Sequence, residues 1–318
     1  MRALVTGADG FAGQWLVQSL LQAGDEVSGA SRAARMPLST LGLGARDVDW
    51  HSVDLRDFDG LATMLARARP DVVYHLAAQA SVPAALEDPL STLSINVLGT
   101  ATLLQACRTA AAAARIVAVG SADAYGRVES ALLPLREDAP LNPNNPYAAS
   151  KAAAEMVALQ YARSGWLSIV AVRPFNHTGP GQSTAFAAPA FASQIAAIKT
   201  KKSAPIIRTG NLTACRDISD VRDVVRAYRL LAKSGTEGSV YNVCSGRAVS
   251  MQQVVDELAA IAGLHIDIQE DPDRRRVVET PVLVGDNSKI QRETGWRPSI
   301  ALSQTLTDLY SAFLRDRG

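Results

Sequence analysis

Cysteine is scarce in this sequence. Three cysteines, Cys107, Cys215 and Cys244, are scattered through 318 residues without metal-ligand spacing. This argues against a disulfide framework or thiolate metal site and fits free thiols in a reducing compartment. Charge of one sign is lacking too: the net charge is +1, so no basic field points to nucleic acid or a membrane surface. The N-terminal apolar segment breaks at Gly7, too early for a signal core. No stretch reads as long enough to span a bilayer, and a cytoplasmic protein is expected. Repeats, low-complexity tracts and long flexible linkers are missing. What remains is ordinary for a globular chain, with 47% apolar and 20% charged residues, and long enough for one large domain or two smaller ones.

The chain opens with a short apolar strand, Arg2 to Thr6, followed by Gly7-Ala8-Asp9-Gly10-Phe11-Ala12-Gly13 and an amphipathic helix through Leu16, Val17, Leu20 and Leu21. Strand, glycine turn and helix is the context in which a glycine pattern becomes informative. Gly7 permits a tight turn, Gly10 lets backbone approach a pyrophosphate, and Gly13 allows close helix–strand packing. The helix N-terminus then offers free N–H groups and positive dipole to phosphates. A second strand, Glu26 to Ala30, closes at Ser31-Arg32, where an NAD-selective site of this kind wants an acid. Arg32, with Arg35 nearby, suits a 2′-phosphate instead, so NADP(H) is preferred, with NAD(H) as the alternative.

A third strand ends at Asp54-Leu55, placed to bracket an adenine. Asp71 to Ala78 is a near-continuous apolar strand, as buried parallel strands are. Its small residues Ala77 and Ala78 would let a cofactor lie against backbone, and His75 within it reads as structural. A helix is expected from about Ser91 into Ala111, carrying Asn96. The strand Arg115 to Gly120 delivers Ser121 at its carboxyl end, the edge where open α/β sheets bind ligands.

The stretch Asn144 to Lys151 then starts a helix, with Pro146 in its first turn. Tyr147 and Lys151 are four apart and share one face. An ammonium beside a phenol is expected to favour the phenolate, so that Tyr147 can exchange a proton with a hydroxyl or carbonyl. Later segments read as a strand Leu167 to Val172, a polar turn Arg173 to Gln182, a helix near 189–200, a strand at 205–208, a helix from about Asp220 to Ala232, a strand Ser239 to Cys244, a helix capped by Ser250, a charged turn Asp271 to Arg276 and a last helix from about Ala301. Alternating strands and helices predict an α/β fold: a Rossmann-type, doubly wound parallel sheet with a smaller C-terminal α/β unit. The expected division is discontinuous, 1–174 with about 217–246 for the cofactor and about 175–216 with 247–318 for the substrate.

The motifs GADGFAG, HLAAQA, SADAYG, YAASK, RPFNHTGPGQ and GNLTACRD together resemble the extended short-chain dehydrogenase/reductase family that modifies nucleotide sugars. The last two look most like its GDP-mannose branch. The resemblance spans nearly the whole chain and implies an NAD(P)-dependent oxidoreductase. By position, Ser121, Tyr147 and Lys151 would be catalytic, with Asp123 as a nearby carboxylate. The cofactor side would comprise Gly7, Gly10, Phe11, Ala12, Gly13, Ser31, Arg32, Asp54, Leu55, Leu76, Ala77, Ala78, Gln79, Asn96, Pro174, Asn176 and His177. Asn176, Asn211, Arg216, Arg276 and Glu279 would face the substrate, although the family's Arg-Pro-x-Glu-Val reads Arg276-Val277-Val278-Glu279-Thr280 here. Arg216 has a second reading, as an ion pair with Asp217 or Asp220. NHTGPGQ resembles the reductases of the branch and implies reduction of GDP-4-keto-6-deoxy-mannose to GDP-D-rhamnose. The alternatives are a GDP-mannose 4,6-dehydratase using Asp123 as base, another nucleotide-sugar 4-epimerase or dehydratase, and a non-catalytic NADP-binding sensor. The family also implies a homodimer through paired helices, around Ala101 and Ala153. No metal is expected.

Overall fold

The computed structural model describes residues 1–32, 48–271 and 280–315. The first half runs β1 (Arg2–Thr6), α1 (Phe11–Gln22), β2 (Glu26–Ser31), β3 (Val48–Ser52), α2 (Phe58–Ala68), β4 (Val72–His75), α3 (Val82–Glu87), α4 (Pro89–Leu93), a π-helical turn (Ser94–Leu98), α5 (Gly99–Ala110), β5 (Arg115–Val119), α6 (Pro146–Arg163) and β6 (Ser168–Pro174). The second half adds β7 (Asn176–Thr178), α7 (Ala187–Lys199), β8 (Ile206–Thr209), β9 (Cys215–Asp220), α8 (Val221–Ser234), β10 (Val240–Val243), β11 (Ala248–Ser250), α9 (Met251–Ala262), β12 (Asp267–Glu270), β13 (Val282–Leu283), α10 (Ser288–Thr294) and α11 (Leu302–Arg315).

Seven strands form one sheet in the order β3-β2-β1-β4-β5-β6-β10, every pair parallel. The doubly wound sheet expected from the alternating pattern is therefore present. The order in which strands are added reverses between β1 and β4, the switch point at which such sheets bind ligands. Alternation along each strand supplies both faces. Leu4, Val73, Ile116 and Ile169 point into a core with Leu61 and Leu65 of α2 and Leu103 and Leu104 of α5. Their neighbours Val5, Tyr74, Val117 and Val170 point the other way, onto Leu16 of α1 and Val224, Tyr228 and Leu231 of α8. Each such fully buried side chain contributes roughly 1.5–3 kcal/mol before the entropy of ordering is set against it.

A smaller sheet, β11-β9-β13 with β7 beside β9, lies next to this layer. The third core, with Phe191, Ile195, Val254, Leu258, Leu306 and Leu309, joins α7, α9 and α11. Asp220 ties the parts together: its carboxylate caps α8 through the Arg222 amide at 2.8 Å and accepts from Thr305 Oγ1 of α11 at 2.8 Å. We propose a two-unit division close to the expected one, with one difference in packing. Ile290 and Trp296, late in the chain, belong to the core under the large sheet.

Three expectations change. The single helix read from Ser91 to Ala111 is α4, a π-helical turn and α5 in succession. Pro89–Ala110 is also, by length and composition, apolar enough to cross a membrane, contrary to the reading that no stretch is. Its buried residues, Leu103, Leu104, Ala106 and Cys107, spend that apolarity on the core. The charged turn ends beyond Asp271, and with Arg35, Arg276 and Glu279 lies outside the described residues.

Trp296 is fully buried and its Nε1 donates to the Asp223 carbonyl at 2.9 Å. Trp296→Ala should cost about 3–5 kcal/mol in urea denaturation, whereas Trp166→Ala, at a partly exposed side chain, should cost much less. Equal losses would show that Trp296 does not anchor the C-terminal segment to the sheet.

Candidate active site

The turn after β1 is shaped by close approach. Gly7 holds φ +69°, where a Cβ would stand 2.8 Å from the Ala77 amide nitrogen. A Cβ at Gly13 would run into the Gly7 carbonyl oxygen. Gly10 caps α1 without any side-chain hydrogen bond, so the first N–H groups of the helix face the space above the switch point. A concavity that side chains would fill, next to an uncapped helix N-terminus, fits the pyrophosphate of a dinucleotide. Phe11 closes one side, stacked on His177 with centroids 6.1 Å apart and planes 10° apart. Trp15 Nε1 donates to the Pro180 carbonyl at 3.1 Å. Thus the loop after Pro174 and β7 is fastened to α1.

At the adenosine end Ser31 is buried and Arg32 exposed. Asp54 is already engaged: Arg56 meets its carboxylate through Nε at 2.9 Å and Nη2 at 2.8 Å, and this pairing holds the carboxyl down at about 2. Leu55 packs below, where a Cβ on Gly99 would lie 2.9 Å from its own. Arg56 escaped the sequence reading, although an arginine two residues past an acid was a signal for it.

Beneath the glycine turn runs a buried polar chain. The Ala77 amide donates to Thr6 Oγ1 at 3.3 Å, and Thr6 Oγ1 lies 2.9 Å from His75 Nδ1. His75 Nε2 lies 2.9 Å from Thr100 Oγ1, which donates to the Asn96 carbonyl at 2.6 Å. The directions assign the tautomer. Thr100 spends its proton on Asn96, so it accepts from Nε2–H, and Nδ1 accepts from Thr6. Burial keeps this imidazole neutral, lowering its pKa to about 3. His75 is a structural histidine, as read.

Asn96 sits in the π-helical turn, 2% exposed. Its side chain takes the Gln79 amide at 2.7 Å, gives to the Gln79 carbonyl at 3.0 Å and gives to Ser150 Oγ at 2.9 Å. The inserted residue of a π turn re-aims one side chain; here it clamps the Leu76–Gln79 segment to α6. Sequence reasoning put Asn96 beside a ribose; the structure shows its side chain already spent on positioning.

Ser121 begins a short 3-10 turn (Ala122–Tyr125) at the end of β5, its Oγ accepting the Asp123 amide at 3.1 Å. Asn145 caps α6 through the Ala148 amide at 2.9 Å. α6 carries Tyr147, Lys151 and Glu155 on one face, with the Tyr147 phenol turned toward Ser121 and Asp123. Lys151 is 7% exposed, and its Nζ donates to the Val119 carbonyl at 2.7 Å. Here the expected electrostatics reverse. Burial, then the nearby Asp123 carboxylate, push the Tyr147 phenol above its ordinary range, against the pull of Ser121. Burial also brings Lys151 down to about 8, partly offset by Glu155. The phenol is held as an acid.

The substrate-side residues lie on β7, β9 and the loop before β9. Asn176 is exposed. Asn211 Oδ1 accepts from the Thr213 amide at 2.9 Å and hydroxyl at 2.8 Å. Arg216 Nη1 donates to the carbonyls of Cys215 and Thr280, each at 2.8 Å. The acids offered as its alternative partners are occupied elsewhere: Asp217 receives the Ser245 amide at 2.7 Å and the Gly246 amide at 2.9 Å, and Asp220 holds Arg222 at 2.6 Å. Glu155 and its partner Arg173 were also missed. Glu155 was legible one turn past Lys151, and Arg173 as a cation on an apolar strand.

A doubly wound sheet, a phosphate-ready glycine turn at its switch point and a Ser-Tyr-Lys group at the neighbouring strand end define an NAD(P)-dependent short-chain oxidoreductase of the extended type, acting on a nucleotide sugar. Residues 4–309 match the family model described as GDP-mannose 4,6 dehydratase, and the chain belongs to that family. It is similar to GDP-6-deoxy-D-mannose reductase of Pseudomonas aeruginosa, at 39% identity over 98% of this chain and 96% of that protein. Among solved structures it resembles RMD from Pseudomonas aeruginosa complexed with NADPH, with a TM-score of 0.87 and 34% identity over 99% of this chain and all (100%) of that one. It also resembles UDP-glucose 4-epimerase of Thermus thermophilus in complex with NAD, with a TM-score of 0.87 and 32% identity over 98% and 99%.

Arg32 is exposed just past the end of β2, so the NADP(H) preference expected from it can be tested directly. Arg32→Ala should weaken NADPH binding about tenfold, the loss of one charge-assisted contact, and leave NADH binding nearly unchanged. A fluorescence titration with both nucleotides checks this, and equal effects on the two would remove Arg32 from the selectivity.

Proposed function

We propose that this enzyme uses NADPH to reduce the C4 ketone of GDP-4-keto-6-deoxy-mannose, giving GDP-D-rhamnose. The observation that carries the reading is the placement of Tyr147, in the first turn of α6, against Ser121 and Asp123 at the end of β5, where burial and the Asp123 charge disfavour the phenolate. Similarity to a reductase of this chemistry over nearly the full chain supports it.

When bound, the nicotinamide supplies the hydride. The chain's residues supply the rest. Gly7, Gly10 and Gly13, with the α1 N-terminus, hold the pyrophosphate, and Phe11, Ala12, Leu76, Ala77, Ala78, Pro174 and His177 line its flanks. Ser31, Arg32, Asp54 and Leu55 hold the adenosine end; Gln79 and Asn96 position the wall near the nicotinamide ribose. Ser121 donates a hydrogen bond to the C4 oxygen as negative charge gathers there. Tyr147 gives that oxygen its proton, and the phenolate is reprotonated from water. Because a buried phenolate beside Asp123 is unfavourable, the phenol releases its proton only to a strongly basic acceptor, which a developing alkoxide is. Lys151 keeps positive charge at this face below about pH 8. Asn176, Asn211 and Arg216 meet the sugar and diphosphate.

A second reading, 4,6-dehydration of GDP-mannose, is favoured by one observation: the Asp123 carboxylate lies close enough to Tyr147 to act on it electrostatically. Purified protein with NADPH and either sugar separates the two. Stoichiometric loss of NADPH absorbance with the keto sugar alone is the expected result. NADPH left intact while GDP-mannose becomes a 4-keto product would replace reductase by dehydratase. Tyr147→Phe should lower kcat by about 10²–10⁴-fold with the NADPH Kd within twofold.

We further propose a homodimer through the outer faces of α4 to α6. Leu90, Leu98 and Met156 are 77%, 61% and 67% exposed on neighbouring helices, and the small side chains of Ala101 and Ala153 between them permit close helix approach. Light scattering should give twice the chain mass, and Leu98→Arg with Met156→Arg should halve it. A monomer before substitution would sink this proposal.

A further inference from the structure

Lys151 lies in a buried cluster whose charges do not balance. Lys151, Glu155 and Arg173 are 7%, 5% and 4% exposed, so two cations share one carboxylate away from water. The sharing is unequal. Arg173 takes both oxygens of Glu155, Nε at 2.8 Å and Nη2 at 2.6 Å. It has further support in the Glu137 carbonyl at 3.0 Å and the Tyr125 ring, whose centroid lies 4.8 Å from the guanidinium carbon. Lys151 spends a hydrogen bond on the Val119 carbonyl and receives only through-space attraction from Glu155, one helical turn away. The other groups around it bring little compensation. From β4 comes neutral His75, from α6 neutral Tyr147, and from the 3-10 turn Asp123, which acts on Tyr147.

We infer that Glu155 is a positioning residue for the charge of Lys151, and that Arg173, by competing for the same carboxylate, limits how much of that charge is supported. The inference rests on the reading of Lys151 as part of the reductase site. Burial brings this ammonium down to about 8 from its ordinary 10.5, and Glu155 one turn away offsets only part of that fall. Lys151 is charged below that pH and neutral above it, so NADPH binding and kcat/KM should fall as pH rises through it.

Removing each partner should move that alkaline limb in opposite directions. Glu155→Gln deletes the supporting carboxylate and should lower the inflection by about one pH unit; Arg173→Gln frees the carboxylate for Lys151 and should raise it by about as much. Arg173→Lys keeps the competing cation and should leave it within a few tenths. The readouts are the NADPH Kd by fluorescence and kcat/KM with the keto sugar, each from pH 6 to about 10. A merely structural pair would shift both variants alike or neither, and either outcome overturns the inference. Should the variants fail to fold, the unaltered protein still decides. It has six lysines, so carbon-13 NMR of labelled lysine Cε resolves Lys151, assigned with Lys151→Met. Titration near 8 supports the inference, and titration near 10.5 overturns it. The NMR and NADPH-binding readouts need no sugar, so absence of reductase turnover would count against the proposed reaction and leave this inference standing.

Discussion

The site depends on one buried run of hydrogen bonds: Ala77 amide, Thr6, His75, Thr100 and the Asn96 carbonyl, continued by the Asn96 side chain to Gln79 and Ser150. Thr6, His75, Thr100, Asn96 and Ser150 are all buried, and their polar groups are satisfied along this run. Such a chain is strongly held when complete and costly when broken. Its geometric effect is specific. It fixes the distance from β1 to β4, which sets the floor of the glycine turn, and it fixes α6 against the π-helical turn. Ser150 carries the constraint onward by donating to the Tyr147 carbonyl at 2.7 Å. The cofactor floor and the proton donor are thus held by the same run of bonds. One neutral histidine, with one allowed tautomer, sits at its centre.

Around this frame the chain divides labour between backbone and side chains. At the phosphate end the work is done by absence: no Cβ at Gly7 and Gly13 and no cap on α1. At the reacting end it is done by burial. Desolvation moves Tyr147 and Lys151 in opposite directions, making the phenol a weaker acid and the ammonium a stronger one. A proton donor that must not ionise spontaneously and a cation near its neutral form therefore stand one turn apart on α6. The substrate-side loop joins the two ends, since Phe11 on His177 and Trp15 on Pro180 fasten it to the same helix whose N-terminus faces the phosphates.

What was legible in the sequence was local. GADGFAG and YAASK encode their geometry in a few consecutive residues, because a left-handed glycine, an N-cap and an i, i+4 pair are short-range facts. The doubly wound parallel sheet followed from the alternation of strands and helices. Features built from distant residues were not legible. Glu155 meets Arg173 across 18 positions, and Asn96 reaches Gln79 only because one extra residue is accommodated in a helix that reads as continuous. The state of Tyr147 was misjudged for a related reason. Spacing places an ammonium one turn away, but not where its Nζ points, and here it points to the Val119 carbonyl. Burial, which spacing does not report, decides the phenol.

That reversal bears on the chemistry. A group poised to abstract a proton from a hydroxyl benefits from a lowered phenol; a group poised to donate to a ketone oxygen loses by it, because a phenolate has nothing to give. With Asp123 facing it on a half-buried ring, Tyr147 is held in its neutral form before any cofactor charge is added. An elimination would ask the opposite of Asp123, to take a carbon-bound proton, and would need that carboxylate to reach past the phenol it now stabilises. Asp123 therefore disfavours the phenolate, and the neutral phenol is the form that has a proton to give.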